Sequence, residues 1–468
     1  MLARDFKRVV LIVGPFLFLV YIGIRCLDFR DSSSGFNTWF DHIFAPNWRQ
    51  ADELKPHSRP APSAAAPPPA PEDTEPPIAV PPTVLPPTPP SDSIPIATER
   101  THHEVFSIST FDKRFFPIHF SDEDAMNPNI LPHPTLDNTY IIVAQRRKTH
   151  DDKTAEHFEL VCNAVFTMEG LSCVEAPTTL PIAATKSGDD KCPPKLAYIA
   201  MNIGPHDARV FHGPKAPFIT FGSNSLYCCF GQFMQDFRTL GNWGFQMSLD
   251  QGFNTGIELQ RPPPWGTMEK NWFPFWDEDG AVYVHHDVAP KRVFSKLNLD
   301  GSVGPDLAPL APGDEACLEK YMAKLPPDLE SIHQATNSLS ITFCKRMDVN
   351  CKPTSDNTFI FTIFQHKTFY HFHSEYEPYV MVFRQKAPFE VFAVSKKPIW
   401  IHGREKKDTG ASDMFYVTSM SWKTKGQRYH GYMDDTLFLA FGIEDKMAGG
   451  IDITAEDLLS ELGTCLET

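Results

Sequence analysis

The sequence lacks the signatures of several common enzyme classes. No Cys-x-x-Cys pair occurs, so a structural zinc site has little support. A glycine-rich phosphate loop and a Gly-x-Ser-x-Gly elbow are missing too, which argues against P-loop, dinucleotide-binding and α/β-hydrolase chemistry. Positive charge is short: 43 Lys and Arg stand against 58 Asp and Glu, a formal net charge of −15. Nucleic-acid partners usually require a concentrated basic face, so none is expected. Helix signals are few, the clearest being "DEACLEKYMAKL" and "TAEDLLSEL". No carboxylate or histidine cluster has metal-ligand spacing, so no metal site is assigned and metal dependence stays open. Asp277-Glu278-Asp279 has the form of a metal-diphosphate motif. It lies between two strand patterns and ends in Gly280, as a hairpin turn does.

What is present divides the chain into three parts. Residues 9–24, "VVLIVGPFLFLVYIGI", form an unbroken apolar run behind Arg4, Lys7 and Arg8 and ahead of Arg25. Its 16 residues fall just below the ~17–25 of a membrane span. No small-residue cleavage site follows, and no amphipathic partner helix makes it a core segment. A signal anchor is expected: a cytoplasmic tail at 1–8, a span at 9–25, and the rest lumenal. A short span suits the thin membranes of the early secretory pathway, and a single-pass type II Golgi protein is the expectation. Residues 26–103 are expected as a disordered lumenal stalk, proline-rich between 55 and 96 and extended at about 3.1 Å per residue.

Cysteine usage fits that compartment. Cys26 sits at the membrane edge and leaves nine others. Cys162 with Cys173, and Cys344 with Cys351, have spacings that could close short loops in an oxidising lumen; free buried thiols are the alternative. An odd number leaves at least one unpaired or bonded to another chain.

The head, 104–468, reads as mainly β. Runs rich in Val, Ile, Phe and Tyr alternate with turns such as "DEDG" and "NLDG". A theme of polar residues, strand, turn and strand recurs in "NPNILPHPTLDNTYIIVAQRR", "GPHDARVFHGPKAPFITFGSNS", "KNWFPFWDEDGAVYVHHDVAP", "ATNSLSITFCKRMDVNCKPTSDNTFIFTIFQHK" and "YHGYMDDTLFLAFGIEDKMAGGIDI". Such units predict a five-bladed β-propeller, with a β-sandwich as the alternative.

In a propeller the start of each innermost strand and the end of the next meet at one mouth. The first unit then offers Asn127, Asn129, Gln145, Arg146 and Arg147. The second offers Asp207, Arg209, Ser223 and Asn224. Lys270, Asn271, His286 and Asp287 come from the third, and Thr336, Asn337, His366 and Lys367 from the fourth. His430, Asp434 and Asp435 open the fifth. Carboxylates, amides and imidazoles suit sugar hydroxyls, while Arg and Lys suit phosphate. Asp207 and Arg209 lie two apart, so a regular strand would point them to one face.

"GPHDARVF" resembles the Gly-x-Glu-Asp-Pro-Arg-x-Phe signature of five-bladed propeller enzymes acting on β-mannosides, the mannoside phosphorylases and related mannosyltransferases. "KNWFPFWDEDGAVYVHHDVAPKRVF" resembles their third-blade pattern and "YHGYMDDTLFLAFG" their last-blade pattern, so the likeness runs from about 120 to 460. With anchor and stalk, the whole looks like a fungal-type Golgi glycosyltransferase. The resemblance implies that Asp207 is the catalytic carboxylate and that Arg209 orients it or binds a ligand oxygen. His206 and Ala208 replace the family's Glu and Pro, which puts the sugar in question. Transfer of a hexose, mannose first, from a nucleotide sugar such as GDP-mannose to a glycan acceptor is the leading expectation. A mannoside hydrolase or phosphorylase is the second, and a non-catalytic glycan-binding propeller the third. Hydrolysis would want a second carboxylate, with Asp287 or Asp434 as candidates.

Overall fold

The computed structural model describes residues 101–148, 155–186, 191–246, 252–324, 330–370, 373–407 and 411–465. The expected tail 1–8, span 9–25 and stalk residues 26–100 lie outside them. Among the described residues, no helix is long and apolar enough to cross a membrane.

The head is mainly β and propeller-like, built from five antiparallel meanders in chain order. The first comprises Ala125–Pro132, Tyr140–Arg146, Glu159–Thr167 and Gly170–Cys173. The second comprises His206–His212, Pro217–Asn224, Phe230–Asp236 and Ile257–Glu258. Phe273–Trp276, Val282–Asp287 and Val293–Lys296 form the third, with the expected "DEDG" hairpin between its first two strands. In the fourth, Leu339–Thr342 and Glu330–Gln334 both pair with Thr358–Tyr370, followed by His373–Arg384 and Val391–Ser395. The fifth opens with Phe415–Trp422 and continues through Thr436–Ile443 and Met447–Thr454.

Two strands from the flanks complete these sheets. Phe116–His119 adds antiparallel to Met447–Thr454, and Leu462–Thr464 adds to Val391–Ser395. The expected helices are short, Asp314–Tyr321 and Ala455–Leu458; Thr454 caps the latter by accepting from the Asp457 N–H.

Side-chain alternation explains why the meanders stack. In "YIIVA", Tyr140 and Ile142 pack with Phe116 and Phe438 of the fifth-meander side. Their neighbours Ile141 and Val143 pack with Val210, Ile219 and Phe221 of the second. Both faces are thus buried, so these strands read as continuous apolar runs rather than as alternating ones.

The meanders are tied into a ring by four polar links and one aromatic contact. Asn129 donates to Ala208 O (2.9 Å) and accepts from Val210 N (3.0 Å), joining the first and second meanders. The second and third meet through the stacked rings of Phe218 and Trp276. Ser338 Oγ donates to Pro274 O at 2.7 Å between third and fourth. Asn337 repeats the amide link from fourth to fifth, donating to Met420 O (3.0 Å) and accepting from its N–H (2.9 Å). Ser421 Oγ donates to Ile130 O at 2.5 Å and returns the ring to the first meander.

Four disulfides lie among the described residues: Cys162–Cys173, Cys192–Cys229, Cys317–Cys465 and Cys344–Cys351. Both pairings read from spacing are therefore present, and Cys228 is the buried free thiol.

Candidate functional site

The ring has two mouths. Starts of opening strands, around Asn127, Asp207, Asn271 and Met414, line a cavity of about 520 Å3. Residues at or just beyond the other ends, Pro214, Asp277 and Thr424, line a second of about 900 Å3.

Backbone conformation marks the first mouth. Asn127, Asp207 and Asn271 all have positive φ, at 56°, 51° and 63°. Asn and Asp tolerate this left-handed region better than other non-glycine residues, yet such outliers concentrate where function holds them. Asn127 and Asp207 sit in matching bulges, where register shifts between Met126 and Asn129 and between His206 and Arg209. The bulge breaks the simple two-residue alternation, so Asp207 and Arg209 do not meet as a carboxylate–guanidinium pair.

Asp207 instead points its carboxylate into the cavity. Its side chain is 33% exposed; Asn127 Nδ2 donates to Oδ1 at 2.9 Å, and Lys270 Nζ lies 3.9 Å from Oδ2. Burial alone would raise its pKa, but the charges of Lys270 and then Arg209, with help from the Asn127 hydrogen bond, hold it below the ordinary carboxylate value. Asp207 is therefore ionised at neutral pH, suited to accept a proton and not to give one. Arg209 is buried and donates to backbone: Nη1 to Asp207 O at 2.6 Å and Nε to Ala335 O at 3.2 Å. Tyr416 stacks beside its guanidinium at 5.9 Å.

The walls combine cations and rings. Arg146, Arg147, Lys148, Lys270, Lys367 and Lys446 line the cavity, against Asp207, Glu444 and Asp445. In a chain of net charge −15 this is a local reversal of sign. Arg146 pairs with Glu123 at 2.9 Å and Arg147 with Asp124, which fixes both at the rim. The rings of His157 and His206 lie against each other at a tilt of 37°, centroids 3.7 Å apart, with Phe230 edge-on to His206. Burial pushes His206 down to about 4 and His333 to about 3, so both are neutral.

Of the residues expected at this mouth, Asn127, Gln145, Arg146, Arg147, Asp207, Arg209, Lys270, Asn271 and Lys367 line it. Others lie elsewhere. Asn129 and Asn337 are buried in the ring links described above, with both ends of their amides engaged by backbone. His286 is buried against Trp272 and hydrogen-bonds Gln260 O; Asp287 pairs with Arg261 at 2.5 Å. His366 faces Glu330 at 2.6 Å.

The largest correction concerns the fifth unit. Its opening strand is Phe415–Trp422, one strand earlier than expected, and this shifts His430, Asp434 and Asp435 away from the Asp207 cavity. His430 and Asp435 line the opposite mouth. Asp434 accepts the Arg346 and Met347 amides, and Asp435 binds the Arg346 guanidinium and the Tyr432 N–H. Tyr416, Tyr376, His157 and Glu444 line the Asp207 cavity without having been legible as site residues. No described cluster of His, Cys, Asp and Glu has the geometry to hold a metal ion.

No protein-family model matches the chain, and no curated protein matches it in sequence. It is similar to a β-1,2-mannobiose phosphorylase from Listeria innocua, with 10% identity, coverage of 76% of this chain and 96% of that one, and a TM-score of 0.41. For a GDP-Man-dependent mannosyltransferase from Leishmania mexicana the values are 10%, 73%, 88% and 0.38. A glycosyl hydrolase from Bacteroides ovatus gives 10%, 75%, 91% and 0.35.

Proposed function

We propose that the head is a carbohydrate-active enzyme, a five-bladed propeller that transfers a hexosyl group, mannose first, from a nucleotide sugar to a glycan. One observation carries this reading: an ionised carboxylate, Asp207, is held in a strained bulge that lines a cation-rich cavity in an acidic chain. A carboxylate with an amide beside it suits sugar hydroxyls, and Lys270, Lys367 and the Arg146–Arg147 rim suit a diphosphate.

Asp207 would take the proton of the acceptor hydroxyl as its oxygen bonds to C1 of the donor sugar. The bond from C1 to the diphosphate oxygen breaks with its electron pair, and the nucleoside diphosphate leaves. Neutral His206, with the His157 ring tilted against it, stands in place of the charge that a glutamate would bring.

Phosphorolysis uses the same cations and is the second reading. Hydrolysis is less well supported, because Asp287 is engaged by Arg261 and Asp434 caps a loop away from the cavity. Four disulfides favour an oxidising compartment, in keeping with a secretory, membrane-anchored enzyme.

The test is product analysis by mass with the full-length chain, GDP-mannose and an oligomannoside. Acceptor-dependent release of GDP with growth of the oligomannoside is expected. Release of mannose from the oligomannoside without donor, or of mannose 1-phosphate with inorganic phosphate, would overturn the transferase assignment.

A further inference from the structure

The bulge at Asp207 removes two successive amides, those of Asp207 and Ala208, from the regular ladder with the neighbouring strand. Buried amides need replacement acceptors. The Asp207 N–H donates to Gln145 Oε1 at 2.8 Å, and the Ala208 N–H donates to Glu159 Oε1 at 3.2 Å. Gln145 and Glu159 face one another across two strands of the first meander, so one cross-strand pair catches both amides.

A second bulge in the ring shows which half of this pair is exceptional. In the fifth meander, register shifts between Val417 and Ser419. There Gln365, on the second strand of the fourth meander as Gln145 is on that of the first, accepts from Val417 N (3.1 Å) and donates to Val417 O (3.3 Å). One glutamine is enough to hold a bulge that aims no carboxylate at a ligand. At Asp207 a carboxyl is added, wholly buried at 0% exposure and with no hydrogen-bond partner for Oε2 among the described residues. Such a group is costly to bury, so a packing role alone explains it poorly.

We propose that Glu159 is a positioning residue for Asp207: through the Ala208 amide it fixes the bulge that aims the Asp207 carboxylate into the cavity. The proposal rests on reading Asp207 as the catalytic carboxylate. Glu159 does not line the cavity and does not touch a substrate there. Its task needs an acceptor oxygen rather than a negative charge. Burial, opposed by the Ala208 amide, raises its pKa to about 8, which keeps it largely neutral at pH 7.

The experiment compares Glu159→Met, which keeps volume and loses the acceptor, with Glu159→Gln, which keeps both. Amide exchange over residues 206–210 and steady-state kinetics with GDP-mannose and an oligomannoside are measured on the full chain, well below each variant's Tm. For Glu159→Met, exchange at Ala208 should rise about tenfold, and kcat should fall about 10²-fold with KM within about threefold. Glu159→Gln should restore both to within about threefold of the parent. Glu159→Asp, with its carboxyl withdrawn by one methylene, takes the place of Glu159→Met if that variant does not fold. Unchanged exchange and kcat in the Met variant would overturn the proposal, as would an equal loss in the Gln variant. If Asp207→Asn retains full turnover, the catalytic reading fails; the exchange result then decides separately whether Glu159 grips the bulge.

Discussion

The two mouths of the ring are both rich in carboxylates and both concave, yet they use those groups differently. At the far mouth carboxylates serve their own loops. Asp277 accepts the amides of Asp279 and Ala281 and the Tyr283 hydroxyl, and Asp435 accepts the Tyr432 N–H. Positive φ in its lining is left to glycine, at Gly280 and Gly426. At the near mouth positive φ falls on Asn127, Asp207, Asn271, Glu444 and Asp445, and surrounding side chains hold the backbone of Asp207 so that its carboxylate can face the cavity. A carboxylate that caps a turn is consumed by the fold; one held in place by other residues remains available. Counting acidic residues does not separate the two mouths, whereas following each hydrogen bond does.

The sharpest way to break this contrast is to neutralise one carboxylate in each mouth. Asp207→Asn should lower kcat about 10³-fold with little change in Tm, as for loss of a general base. In a pH–rate profile the parent should stay active through neutrality and fail only below the ordinary carboxylate range, because Asp207 must be ionised and its pKa is lowered.

The next largest effect should come from Gly442→Ala. A Cβ there would lie 2.4 Å from Asn127 Oδ1, so Asn127 must move and its bond to Asp207 is lost. A fall of about 10²-fold in kcat is expected from kinetics, with the disulfides and circular dichroism unaltered.

Asn129→Ala probes the ring rather than the mouth. It strips partners from Ala208 O and Val210 N and should cost about 2–4 kcal/mol by denaturant unfolding. Its donor KM should stay near that of the parent, unlike that of a ligand-binding residue. The smallest effect belongs to Asp435→Asn, which should leave kcat unchanged and cost at most about 1 kcal/mol, since Arg346 is half exposed. A loss of turnover there would erase the distinction between the mouths.

Much of the architecture was legible because strand, turn and disulfide signals are local. The "DEDG" hairpin, the five recurrences and the short-loop cysteine pairs depend on neighbours in sequence. The fifth opening strand was not legible: "FYVTSMSW" is interleaved with Ser and Thr, whose hydroxyls serve as buried ring links, while "YMDD" imitates a strand start. Asn129 and Asn337 look like ligand-binding amides, since nothing local shows that each faces a backbone edge more than 75 residues away. Glu159 was hidden for a similar reason. At the head of the apolar "LVCNAVF" run it reads as a solvent-facing strand end, and only the bulge on another meander gives it a role.

The strand Phe116–His119 has a consequence for how the protein is made. It emerges early, yet its antiparallel partner, Met447–Thr454, is synthesised only after the strands of the first four meanders. Cys317 likewise waits for Cys465. During synthesis the nascent head therefore carries an unsealed strand edge until Met447–Thr454 has emerged, and that edge is where self-association or chaperone capture would act. The ring behaves as a garment fastened last, by a tab sewn on first.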